Sequence, residues 1–63
     1  MNLRKVRKEK GLKVSDICRQ IGCSVSYFYQ LEKNERTPSL KTMVAISKAL
    51  GVSPQALFFE EVI

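Results

Sequence analysis

Between Ser24 and Lys33 the chain carries side chains that give and take hydrogen bonds, at spacings that gather them on one side of a helix. On a 3.6-residue wheel Ser26, Tyr29, Gln30 and Lys33 cluster together, while Ser24, Phe28, Leu31 and Glu32 fall opposite. Hydroxyl, amide and ammonium groups projecting opposite a narrow apolar stripe are what a helix lying in a DNA major groove would present. The same row also fits an ordinary solvated surface, and this stretch by itself leaves both readings open. Catalysis is not expected. There is no histidine, no phosphate-cradling glycine loop and no pair of acids except Glu60-Glu61, which reads as a solvated end.

The rest of the chain must hold that row in place with little material. Sixty-three residues make one domain, spanning 1–63, that buries only about 60 % of its unfolded surface, so the core must be small and built from few elements. The formal charge is +5, and its placement is uneven. Residues 1–13 hold Arg4, Lys5, Arg7, Lys8, Lys10 and Lys13 against Glu9 alone, whereas the remainder carries equal numbers of each sign. A concentrated basic segment points to a polyanionic partner, although basic helices also serve solubility. Cys18 and Cys23 are too few for a disulfide framework, and no zinc or other metal site can be assembled around them; buried thiols are expected, with redox sensing as the alternative. No apolar run approaches a membrane span and no signal-peptide core is present, so a cytoplasmic location is expected.

Local signals divide the chain into five helices with no alternating strand pattern. Asn2 is expected to cap the first, which Gly11 ends; Leu3 and Val6 share its apolar face, and Arg7 falls on the same side, where a charge needs a partner. The second runs from Val14 to Ile21, with Asp16 in its first turn, and Gly22 stops it. Ser24, Ser39 and Ser53 are the expected caps of the next three. The pairs Leu12/Ile17, Cys23/Phe28 and Val52/Leu57 have the spacing of hydrophobic staples. Asn34 ends the third helix, and Glu35-Arg36-Thr37-Pro38 is a polar loop. The fourth helix, Leu40 to Leu50, is expected to pack through Leu40, Met43, Val44, Ser47 and Leu50, and Pro54 opens the fifth.

Several of these pieces, taken in order, resemble the Cro and phage-repressor type of helix-turn-helix proteins, the Xre family. They are Arg7 with Lys10-Gly11-Leu12, then Ile17-Cys18 where the family usually has Leu-Ala, Ile21-Gly22, Leu31-Glu32, Thr37-Pro38-Ser39-Leu40, and Ala49-Leu50-Gly51-Val52-Ser53-Pro54. The resemblance implies an all-α, five-helix, lambda-repressor-like domain in which helices 2 and 3 form the helix-turn-helix and helix 3 enters the major groove. It assigns base contacts to Val25, Ser26, Tyr29 and Gln30, and phosphate contacts to Tyr27, Lys33, Arg36, Thr37 and Lys41. For Tyr27 a ring packed on a neighbouring helix is an equal alternative. Arg7 and Glu32 occupy positions that the family usually pairs as ions. Two departures stand out. Lys13 and Val14 replace the usual Ser or Thr followed by Gln, leaving Lys13 to contact phosphate as a point charge, and Glu35 sits where the family is often basic.

The function this implies is a sequence-specific transcriptional regulator binding double-stranded DNA, as a repressor on a two-fold operator. A homodimer is expected because Leu57, Phe58, Phe59, Val62 and Ile63 crowd the C-terminal end; alternatively Leu57 and one Phe complete the monomer core and the last residues fray. A second class of function, an antitoxin or anti-regulator acting through a protein partner at that apolar end, remains open, while RNA binding lacks the glycine-aromatic signature of the common modules. No cofactor and no small-molecule effector is expected.

Overall fold

The computed structural model describes residues 2–58, which form five helices: α1 Leu3–Glu9, α2 Val14–Ile21, α3 Val25–Glu32, α4 Leu40–Leu50 and α5 Pro54–Phe58. No strand occurs among the described residues, so the architecture is the all-α, five-helix one expected.

The starts of α3, α4 and α5 follow from serine side chains three residues before the N–H they cap. Ser24 Oγ accepts from the Tyr27 backbone N–H at 3.1 Å, Ser39 Oγ from Thr42 at 3.2 Å and Ser53 Oγ from Ala56 at 3.3 Å, each satisfying an otherwise orphaned donor. Gly22 adopts φ +76°, and the Cys23 N–H then reaches back to the Cys18 carbonyl at 3.1 Å, closing α2. That closure leaves only Cys23 and Ser24 before α3. Asn34 ends α3 in the same way at φ +61°, with the Glu35 N–H donating to the Gln30 carbonyl at 2.9 Å. In each staple pair the outer residue (Leu12, Cys23 or Val52) is partly buried against the core, and the inner one (Ile17, Phe28 or Leu57) is almost wholly enclosed.

The principal helix contacts close a ring. α1 packs on α3 and α5, α2 on α3 and α4, and α5 on α4. Inside it lie Leu3, Val14, Ile17, Cys18, Phe28, Leu31, Ile46, Leu50 and Leu57, at least one from each helix. A five-residue helix such as α5 has no stability of its own. Leu57, with no exposed surface, anchors it through burial that contributes about 1.5–3 kcal/mol.

Two expectations need correction. Asn2 makes no side-chain cap; its backbone N–H donates to the Leu57 carbonyl at 2.8 Å and its Nδ2 to the Ala56 carbonyl at 3.4 Å, so it ties α1 to α5. The packed face of α4 is also rotated from the one expected. Ile46 is fully buried, whereas Leu40 is 73 % exposed and Val44 38 % exposed. The reason is that α4 serves both α2 and α5, which centres its covered arc on Ile46, Ser47 and Leu50. Ser47 is tolerated there because its hydroxyl donates to the Val44 carbonyl at 2.8 Å.

Candidate nucleic-acid interface

The third helix is fixed from below and open from above. Phe28 and Leu31 have no exposed surface, and the Glu32 side chain is 2 % exposed. Arg7 reaches it from α1: Nε donates to Glu32 Oε2 at 2.6 Å and Nη2 to Oε1 at 3.4 Å. Arg7 Nη1 also donates to the Leu12 carbonyl at 3.0 Å, so one guanidinium joins α1, α3 and the segment entering α2. A planar fork with several donors suits this task better than an ammonium.

On the other side of α3, Ser26, Tyr29 and Lys33 are exposed and Gln30 is half-buried. Among the described residues none of their side-chain polar atoms has a hydrogen-bond or ion-pair partner. These groups are therefore uncommitted, and a ligand meets them without first breaking internal bonds. Val25, in the first turn, is 41 % exposed, placing a branched methyl pair beside the polar row.

The segment after α3 continues this surface. Arg36, Thr37 and Lys41 are exposed, while Pro38 is buried and pins the chain before Ser39. The Arg36 guanidinium lies 5.4 Å from the centre of the Tyr27 ring, and Tyr27 itself is half-buried against the core. Packing and a cation-π contact thus account for the Tyr27 ring and hold Arg36 near α3. Lys13 occupies the cap position of α2 with extended backbone and no capping side-chain bond, as its ammonium dictates.

A groove between α1 and α3 was not foreseen. Arg4, Arg7 and Lys8 of α1 line it together with Ser26, Tyr29, Gln30 and Glu32 of α3 and with Lys33 and Glu35 just beyond. The signal was present in the sequence as the i, i+4 spacing of Arg4 and Lys8, but it pointed nowhere until α1 was docked on α3.

Both cysteines are free thiols, Cys18 within α2 and Cys23 in the turn that follows it. Burial pushes the Cys18 thiol up to about 12, with the neighbouring Cys23 thiol and the Glu32 carboxylate acting in the same direction. Its Sγ donates to the Ser24 carbonyl at 3.5 Å. Cys18 is thus a structural thiol, and iodoacetamide at pH 8 is expected to alkylate the half-buried Cys23 well before Cys18 in the native protein. Mass mapping after short exposure checks this; equal labelling of both would contradict it.

At the C-terminal end the expected dimer set is altered. Leu57 is enclosed in the monomer core and offers no surface to a partner. Phe58 is half-buried against the same core, and Phe59, Val62 and Ile63 lie outside the described residues. No helix among the described residues is long and apolar enough to cross a membrane.

With this geometry in view, comparison with known proteins gives a consistent result. The chain is 36 % identical over 52 residues to the uncharacterized HTH-type transcriptional regulator y4dJ of Sinorhizobium fredii, covering 82 % of this chain and 68 % of that protein. It is 32 % identical over 59 residues to the immunity repressor protein of Bacillus phage phi105, covering 94 % and 41 % respectively. To the HTH-type transcriptional regulator SinR of Bacillus subtilis it is 33 % identical over 60 residues, covering 94 % and 54 %. The chain therefore spans about half the length of the last two relatives. A family model described as helix-turn-helix matches residues 3–57, a span that takes in all but the last residue of the five helices. The chain belongs to the helix-turn-helix family, of the Cro and phage-repressor type, with α2 and α3 as the motif itself.

Proposed function

We propose that this protein is a sequence-specific DNA-binding transcriptional regulator, a repressor that occupies a two-fold operator as a homodimer. The observation that carries the reading is the uncommitted polar row of α3, presented on a helix whose opposite face is locked into the core. Family membership and the printed names of the relatives, transcriptional regulators and an immunity repressor, support it.

In this reading Val25, Ser26, Tyr29 and Gln30 meet base edges, with Val25 suited to a thymine methyl. Lys13, Lys33, Arg36, Thr37 and Lys41 meet phosphates and set the register, and Tyr27 contributes through its hydroxyl and by holding Arg36. One such helix reads few base pairs. Pairing two chains doubles the number and places half-sites about 34 Å apart, one turn of DNA. With Leu57 inside the core, dimerisation falls to Phe58, Phe59, Val62 and Ile63, within a single domain over residues 1–63.

Selection of binding sites from random duplex DNA tests the reading. The expected result is an enriched inverted repeat with that spacing, whose binding weakens steeply as salt is added because counterions are released from neutralised phosphates. Enrichment of no sequence, or binding indifferent to salt, would turn attention to a protein partner instead.

A further inference from the structure

The groove between α1 and α3 extends the proposed DNA surface beyond the residues named so far. We infer that Arg4 and Lys8 form a second phosphate-binding flank, gripping the DNA backbone that borders the groove read by α3; the inference rests on the DNA-binding reading above.

An α-helix with its side chains is about 10–12 Å across and the major groove about 12 Å wide, so a seated helix has phosphate walls close on both sides. α1 packs along one side of α3, and the cleft between them opens toward the same surface as the reading row, since Ser26, Tyr29 and Gln30 line it together with Arg4 and Lys8. Arg7, between those two in sequence, is already neutralised by Glu32. Arg4 and Lys8 are exposed, and among the described residues neither has a carboxylate within ion-pair distance. The lining counts four cations against the two carboxylates of Glu32 and Glu35, one of which Arg7 consumes. A cleft of that balance beside a DNA-reading face attracts the backbone rather than a neutral partner. Lys5, on the same helix and also exposed, does not line the groove. The basic excess of the N-terminal segment is therefore divided between residues aimed at the DNA flank and residues that serve general charge.

The test uses the intact chain, a duplex carrying the selected operator, and the variants Arg4→Gln, Lys8→Gln, their double, Lys5→Gln and Lys33→Gln, measured across a salt series. All the replaced side chains are exposed, so folding is expected to persist, with circular dichroism as the check. Arg4→Gln and Lys8→Gln should each shallow the slope of log K against log salt by about 0.9 per bound subunit, and the double by about twice that, with no change in base preference. Lys5→Gln, which removes the same charge outside the groove, should change the slope much less. Ethylation interference should also show phosphates on one flank that cease to matter for the double variant. If the double variant matches Lys5→Gln while Lys33→Gln still shallows the slope, the flank is not a contact and the inference is overturned, with the DNA-binding reading intact. If the unaltered chain binds no duplex in a salt-dependent way, that reading falls and takes the inference with it.

Discussion

Alanine at Glu32 or at Arg7 is expected to destabilise the fold by about 3 kcal/mol, and alanine at both to cost little more than either one alone. The Glu32 side chain is 2 % exposed and that of Arg7 12 %, so removing the partner leaves Glu32 wholly, and Arg7 largely, a charge held out of water. Most of the loss is the desolvation of the group left behind. Removing the second residue removes that stranded charge, which is why the effects do not add. A domain of this length has a total stability of roughly 3–9 kcal/mol. Each single variant should therefore melt lower by roughly 12–24 °C, and some preparations will be partly unfolded at room temperature. Thermal melts of the three variants make the comparison. Two small effects, each under about 1 kcal/mol and summing in the double, would show a solvated pair instead. The same guanidinium also holds the Leu12 carbonyl, so Arg7→Ala is expected to be the more damaging single change.

The second large effect concerns readout. Gln30→Ala is expected to lose roughly 1–3 kcal/mol on the preferred operator and to relax the preference at one base position per half-site. A glutamine amide donates and accepts at once, matching the N6 and N7 edge of adenine. Gln30 sits at the middle of the outward row, half-buried, and its amide is not used by any other described residue. Partial burial restricts its rotamers before binding, so less entropy is lost on contact. Lys33→Gln should behave differently, weakening all sequences alike and shallowing the salt slope. A panel of single-base operator variants separates the two. Uniform loss across the panel for Gln30→Ala, or no loss, would pass the reading role to Ser26 and Tyr29.

The amino-acid sequence by itself determined where helices begin and end, and which side of α3 faces outward. Those features depend on groups a few residues apart: Ser24, Ser39 and Ser53 each bond a backbone N–H three positions on, and Gly22 and Asn34 close the helices before them. The polar row of α3 was legible from the residues too, because Phe28 and Leu31, the apolar pair three positions apart, are both enclosed and leave Ser26, Tyr29 and Lys33 exposed. Tertiary structure alone decided the matters that depend on which helices become neighbours. The covered face of α4 is set by two partners at once, so Ile46 rather than Leu40 or Val44 entered the core. The Asn2 N–H and side-chain amide bond carbonyls of α5, 55 and 54 positions along the chain, because the ring of helices closes there. Leu57 went inward for the same reason, removing the first residue of the expected dimer set. Arg4 and Lys8 were two cations of a basic N-terminal segment until α1 settled against α3 and turned them toward the groove beside Ser26, Tyr29 and Gln30. Which exposed side chains of different helices come to share one surface is fixed only by the angles at which the helices meet.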